Sequence, residues 1–345
     1  MRINFNNLCF VLIIILVLKL TVFNKLISKS QLVGDLKKLG INKGDHLGVA
    51  LSLKRIGYVD GGPNVFIDAL LEAVGPNGTI MMPTYSKSFH ISKIDTKLNK
   101  KDYIFDPNSS KAETGLVPNT LIKRKEAIRS RHPMNSVTAI GKMAKYLTEE
   151  HDENAGSFMP YSRLAKINGK ILCIGINDRV VAIRHEAQHL AGLLNVVPPW
   201  RGVKFIEESG NIKIFVNKNG GGCTRRLPEL VNVLRERGIL KEGKIGSAKA
   251  LLMNAKGFLE VTSKLLRNNP TLNLCNLILC LWCRELERRM DLYHRIENPR
   301  YFQRYGIIIK IIALINRYRM RNPIIDKIFR KLIGILYNIK SDQQW

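Results

Sequence analysis

In the stretch RHEAQHLAGLLN, Arg184 to Asn195, a His-Glu-x-x-His spacing sets His185, Glu186 and His189 within little more than one helical turn. On a helix, imidazoles at i and i+4 share a face and can hold one Zn²⁺, while the intervening carboxylate activates a metal-bound water. Such a site needs a third ligand, and the candidates are poor. Asn195 is a weak zinc ligand, and Glu207 and Glu208 fall in a stretch that reads as a hairpin rather than a second helix. No metal is therefore expected here. By residue type alone His185 reads first as a histidine hydrogen-bonded in a core, and second as a general acid–base group near neutral pH.

The elements that must position these residues alternate. LVGDLKKLGINKGDHLGVAL reads as an amphipathic helix, a Gly-bearing turn and a strand entering at His46. DGGPNVFIDALLEAVGPNG reads as a Gly-Gly loop and a helix with Val65, Phe66, Ala69, Leu70 and Ala73 mainly inward, stopped by Gly-Pro. TIMMPTYS follows as a buried strand, and GKMAKYLTEEH with GKILCIGI repeats the rhythm. This βα alternation predicts a layered α/β domain. VKFIEESGNIKIFV predicts a hairpin turning at Ser209-Gly210.

The chain has 345 residues, 45% of them hydrophobic, enough for a sizeable core and not the composition of a disordered chain. A formal charge of +27 implies attraction to anions. No aromatic-basic module or zinc-finger spacing accompanies that charge, so nucleic acid is not the expected partner. Six cysteines, unevenly spaced, do not make a disulfide framework in a chain of this length, and a reducing compartment follows. The Cys275, Cys280 and Cys283 spacing lies in a Leu-rich run where cysteine reads as a small buried hydrophobe.

Both ends differ in texture from the middle. The apolar run Leu8 to Phe23 is read as a retained membrane anchor, with a cleaved signal peptide and a buried helix as alternatives. Beyond about Asn268, Ile and Leu interleave with Lys and Arg. That pattern suits basic helices at a membrane interface, or equally a helical pair packed on the main domain. The expected organisation is an N-terminal segment 1–29, a central domain 30–267 and a basic helical extension 268–345.

LKKLGINKGD, IGYVDGGPNVFIDALLEAVGPNGTIMMPT, FDPNSSKAETGLVPNTL, IRSRHPMNSVTAIGK, GKILCIGI and GKIGSAKALLM occur in that order. Together they closely resemble the aminoglycoside 3-N-acetyltransferase family, from about Ser30 to Leu266. The PTYSKSF and FDPNSS segments look most like a branch found with polysaccharide biosynthesis. The resemblance implies a layered α/β/α sandwich, unlike the GNAT fold, and transfer of an acetyl group from acetyl-CoA to an amino-sugar amine. A cytoplasmic domain held at the inner face of the membrane follows from the soluble donor, with a surface-polysaccharide precursor as acceptor. An aminoglycoside acceptor, or an inactive relative that binds an anionic envelope polymer, are the alternatives.

Laid on this chain, the family's catalytic histidine falls on His185, and its glutamate three residues later falls on Gln188. The His-Pro-x-x-Ser element gives His132 and Ser136, for active-site organisation or substrate contact. The donor is expected along Ser52, Leu53, Gly61 and Gly62, with Thr84 as a hydrogen-bond donor. Asp178 and Glu186 are the carboxylates expected near the substrate. Departures from the family pattern include Gln188 itself, Val181 and Ala182 before the histidine, and Met159 where the family has Ser. These put specificity or activity in doubt.

Overall fold

The computed structural model describes residues 26–91, 94, 102–176, 182–193, 201–217 and 227–273, together with 283, 322 and 324. The apolar run 8–23 and nearly all of the basic extension, expected to attach the chain to a membrane, lie outside the described residues, as do Asp178 and Val181. Among the described residues, no helix is long and apolar enough to cross a membrane.

Helix α1 (Lys29–Leu39) starts in a capping box. Ser28 Oγ accepts from the Gln31 amide at 3.2 Å, and Gln31 Oε1 accepts from the Ser28 amide at 2.9 Å. Then come β1 (His46–Leu51), a single turn α2 (Leu53–Ile56), α3 (Gly62–Val74) and β2 (Thr79–Pro83). Short strands β3 (Phe89–His90) and β4 (Ile104–Phe105) precede α4 (Leu116–Ile122), β5 (Ile128–Arg129), β6 (Val137–Gly141) and α5 (Ala144–Thr148). The chain continues through α6 (Met159–Lys166), β7 (Lys170–Ile174), α7 (Ile183–Leu190), β8 (Arg201–Ile206) and β9 (Ile212–Val216). It then adds α8 (Leu227–Glu236), β10 (Leu240–Ile245), β11 (Ala248–Asn254) and α9 (Ala255–Asn268).

Seven strands form one sheet in the order β10-β11-β7-β1-β2-β6-β5. Its centre is parallel, β1 pairing with β2 on one side and β7 on the other, and the flanking pairs are antiparallel. Period-2 alternation sends successive side chains to opposite faces. Leu47, Val49, Ile80, Met82, Leu172 and Ile174 pack under α1 and α3, where Leu32, Leu36, Phe66 and Leu70 are buried. Met81, Ile171, Cys173, Leu251 and Met253 pack on the other face against Tyr161 and Leu164 of α6, Ile183 and Ala187 of α7, and Phe258 of α9. The result is the expected α/β/α sandwich. Each fully buried Leu or Phe contributes about 1.5–3 kcal/mol, so both layers matter to stability.

Two features differ from expectation. Helix α3 buries Ile67 and Val74 as well, while Val65 is only half-buried, because the helix is covered by both α1 and the sheet. A second small sheet of β3, β8, β4 and β9 closes one side around Phe105, Met134, Val203 and Phe205. Its β8–β9 pair is the expected hairpin, Ile206 opposite Ile212, with Gly210 at φ 85 in the turn.

The β2–β6 pairing depends on Gly141, opposite Thr79, with φ 120. A Cβ there would stand 2.2 Å from the Gly78 carbonyl oxygen and 2.7 Å from Thr79 Cα, both backbone atoms that cannot swing away. Gly141→Ala is expected to destabilise the fold by about 2 kcal/mol or more. A lowered urea midpoint with an unchanged m-value is the readout.

Candidate active site

The parallel strands β2, β1 and β7 end on one edge of the sheet, where open α/β sheets gather ligands. β1 delivers Ser52 to this edge, β2 delivers Thr84, and β7 leads through Gly175 toward α7. Two hydrogen bonds hold the ends together: the Ser52 amide donates to the Ile174 carbonyl at 2.9 Å, and the Arg55 side chain donates from Nη1 to the Gly175 carbonyl at 2.9 Å.

On α7, His185 Nδ1 lies 2.7 Å from Gln188 Oε1, and Gln188 is fully buried. An amide oxygen can only accept, so this bond puts the imidazole proton on Nδ1 and makes Nε2 the basic nitrogen. The Phe158 ring packs 5.0 Å from the His185 ring. Burial first, and then the neighbouring Arg184 charge, push the His185 pKa down to about 3, opposed by the bond to Gln188. His185 is thus a neutral imidazole at physiological pH.

The other members of the His-Glu-x-x-His stretch point elsewhere. Glu186 is only 5% exposed and accepts from Ser162 Oγ at 2.5 Å, which ties α7 to α6. Its pKa is raised, chiefly by burial. Expected at the substrate, Glu186 instead spends its visible contact on this helix-helix bond. His189 is exposed. Among the described residues, no group of three or more His, Cys, Asp or Glu is placed to hold a metal.

His132 is completely buried, and its Nδ1 accepts from the backbone amides of Met134 at 3.2 Å and Asn135 at 3.0 Å. Its proton therefore sits on Nε2, which has no hydrogen-bond partner among the described residues. The ring stacks on His151 at 4.8 Å and meets Phe215 edge-on at 5.0 Å. His151 Nδ1 lies 2.9 Å from Ser130 Oγ. His132 thus organises its own loop from inside the protein, and burial pushes its pKa down to about 3.

Thr84 and Ser136 are turned inward as well. Ser136 Oγ donates to the Thr84 carbonyl at 2.7 Å, and Thr84 Oγ1 lies 3.0 Å from Thr138 Oγ1. Arg129 joins them, Nη2 donating to the Thr84 carbonyl at 2.8 Å and Nε to Ser136 Oγ at 3.2 Å. Its guanidinium also bonds the Ser110 carbonyl and lies 5.0 Å over the Phe105 ring. Burial lowers the Arg129 pKa to about 10. Arg129 escaped the sequence reading, because nothing in IRSRHP marks one arginine as turned toward the Thr84 and Ser136 hydroxyls.

A cavity of about 850 Å³ opens beside this edge, lined by Ser52, Leu53 and Gly62 among others, so three of the five expected donor-site residues come together there. Gly61 is the left-handed cap of α3 next to it, at φ 76. Thr84 does not line the cavity, while Thr114 to Pro118 do. Nothing local in the sequence sets that segment opposite Ser52. A second cavity of about 640 Å³ is lined by Glu153, Asn154, Ser157, Glu207, Lys213, Phe215 and Asn217. Ser157 precedes Phe158, whose ring touches His185.

Residues 49–267 match the profile of the family described as aminoglycoside 3-N-acetyltransferase. The chain belongs to that family. It is accordingly an acyltransferase. An aminoglycoside N(3)-acetyltransferase III from Salmonella sp is 29% identical over 253 residues, which cover 66% of this chain and 87% of the relative. The fold superposes on two solved structures. One is aminoglycoside acetyltransferase AAC(3)-IVa as the apoenzyme, with a TM-score of 0.64 at 23% identity over 77% of this chain and 98% of that one. The other is AAC-IIIb in a binary complex with CoASH, with a TM-score of 0.60 at 23% identity over 70% of this chain and 96% of that one. The fold expected from the resemblance, distinct from GNAT, is the one found.

The buried histidines couple the fold to pH. His132 and His151 both have pKa values depressed by burial, whereas in the unfolded chain they bind protons below about pH 6.5. The unfolded state then binds more protons, so stability is complete above that pH and is lost as pH falls, by up to about 1.4 kcal/mol per pH unit for each group. Urea unfolding at about pH 5.5 should show a lower midpoint than at about pH 7.5. His151→Gln, which keeps a partner for Ser130 and takes up no proton, should shrink that difference.

Proposed function

We propose that the chain transfers the acetyl group of acetyl-CoA to a primary amine of an aminoglycoside-like amino sugar, with His185 as the base. The observation that carries this reading is the His185–Gln188 bond of 2.7 Å, which leaves Nε2 as the proton-accepting nitrogen of a neutral imidazole. The relatives named above are aminoglycoside acetyltransferases, and a polysaccharide-precursor acceptor has no counterpart among them.

The two cavities differ in charge as donor and acceptor differ. Among the described residues, the lining around Ser52 contains no carboxylate and includes Lys54, with apolar walls from Leu51, Val59, Pro63 and Val117. That combination fits a phosphate-bearing molecule with an apolar arm. A side chain added at Gly62 meets no atom within 4 Å, so the backbone there is open to close approach. The second cavity carries Glu153 and Glu207, the latter 2.5 Å from Lys213 Nζ, and suits ammonium groups and sugar hydroxyls.

Acetyl-CoA, when bound, supplies the activated acyl carbon and departs as the free thiol. The chain's own work is to hold the acceptor amine and to take its proton. As the N–C bond forms, the amine nitrogen becomes acidic, and His185 Nε2 accepts its proton and passes it to the departing sulfur. A glutamate at 188 would stabilise the resulting imidazolium by charge. Gln188 orients the ring without adding charge, so His185 is a weaker base here. Because the donor is a cytoplasmic metabolite, the domain is proposed to work in the cytoplasm.

Thiol release from acetyl-CoA with a panel of aminoglycosides tests the activity. His185→Ala is expected to lower kcat/KM roughly 10²- to 10⁴-fold while leaving CoA binding largely intact. Gln188→Glu should retain turnover and move the ascending limb of the pH–rate profile to higher pH, because the carboxylate raises the His185 pKa. Undiminished turnover in His185→Ala would refute the assignment of the base.

A further inference from the structure

Two of the largest exposed apolar side chains sit on one cavity. Tyr58 is 64% exposed and Leu116 is 63% exposed, and both line the 850 Å³ space that also contains Ser52 and Lys54. They come from segments far apart in sequence, the loop before α3 and the first turn of α4, so their meeting belongs to the fold and not to a local apolar run. An aromatic ring left largely in water normally finds burial within a protein or a ligand.

The loop that carries Tyr58 is held firmly. The Ile27 amide donates to the Tyr58 carbonyl at 2.8 Å, and the Asp60 amide donates to the Ile27 carbonyl at 3.0 Å. Ile27 and Val59 form a parallel bridge, and the Gly62 amide donates to the Val59 carbonyl at 2.9 Å. The phenol of Tyr58 makes no hydrogen bond among the described residues, so no internal contact explains its display. A backbone fixed on both sides of an exposed ring is a preorganised platform, and little freedom is lost when a flat group settles on it.

The cavity beside it has the chemistry of a phosphorylated nucleoside. Lys54 is exposed, and among the described residues it forms no ion pair and no carboxylate lines the space to repel an anion. We infer that Tyr58 is the stacking platform for the adenine base of the acyl donor, with Leu116 as apolar wall. This rests on acetyl-CoA being the donor. Stacking of a base on an aromatic side chain is sequence-tolerant and contributes measurably to affinity, whereas the pantetheine arm has no ring to place there. Tyr58 therefore selects a nucleotide-bearing donor and has no part in the acyl step.

Calorimetric binding of CoA and of pantetheine to wild type, Tyr58→Ala and Tyr58→Phe tests this, with kcat/KM for acetyl-CoA and S-acetylpantetheine as a second readout. Tyr58→Ala should weaken CoA roughly tenfold and leave S-acetylpantetheine turnover unchanged. Tyr58→Phe should remain close to wild type, since the ring and not the hydroxyl is used. An unaltered thermal midpoint in both variants shows that the exposed position was not needed for folding. Equal losses for the full and truncated donors, or no loss for CoA, would overturn the inference while leaving the donor reading intact. Wild type that fails to bind CoA would remove the donor reading and this inference with it.

Discussion

Parallel pairing of β1 with β2 on one side and β7 on the other is the constraint from which the candidate site follows. Parallel strands run in one direction, so their carboxyl ends open on a single edge and the segments that leave them are neighbours in space. β1 turns there into Ser52 and α2, β2 into Thr84, and β7 into Gly175 and the chain leading to α7. β6 runs antiparallel to β2, which brings its beginning, and with it Ser136 and His132, toward the same edge. The Thr84 amide donating to the Ser136 carbonyl at 2.8 Å closes that side.

Burial then decides the electrical character of what the edge presents. The chain as a whole is strongly cationic, yet its interior histidines are neutral, because charging them without solvent costs more than their hydrogen bonds return. Arg129 is a half-buried cation beside the Thr84 and Ser136 hydroxyls, satisfied by carbonyls, a hydroxyl and the Phe105 face, and it knits β2, β5 and the loop at Ser110 together. Polar groups that look available for a ligand in the sequence are consumed here by one another. A buried donor or acceptor left unpaired is expensive, so the interior pairs them first.

The same economy shapes α7. His185 and Gln188, three residues apart, meet on one face, while Glu186 is directed to Ser162 on α6 and His189 is exposed. The apparent zinc spacing thus divides between separate surroundings. Gln188 for the family's glutamate keeps the geometry of the pair and removes its charge, a change in proton affinity and not in shape.

The sequence by itself determined what local patterning can encode. The Gly-bearing turn after the first amphipathic pattern ends α1 at Gly40, the near-continuous apolar run TIMMP marks β2 as a strand covered on both faces, and Ser209-Gly210 marks the hairpin. The likeness of its segments to a known family extended that to fold and chemistry, and placed His185, Gln188, Ser52 and Gly62 where the structure shows a hydrogen-bonded pair and a cavity. Tertiary structure alone decided which nitrogen of His185 is basic, that Glu186 faces Ser162, that Thr84 and Ser136 lock each other, and that Thr114 to Pro118 stand across from Ser52. Each of these is a contact between residues brought together by strand order or helix packing. Strand order is set by the summed burial of both sheet faces, a quantity that no short window of sequence contains.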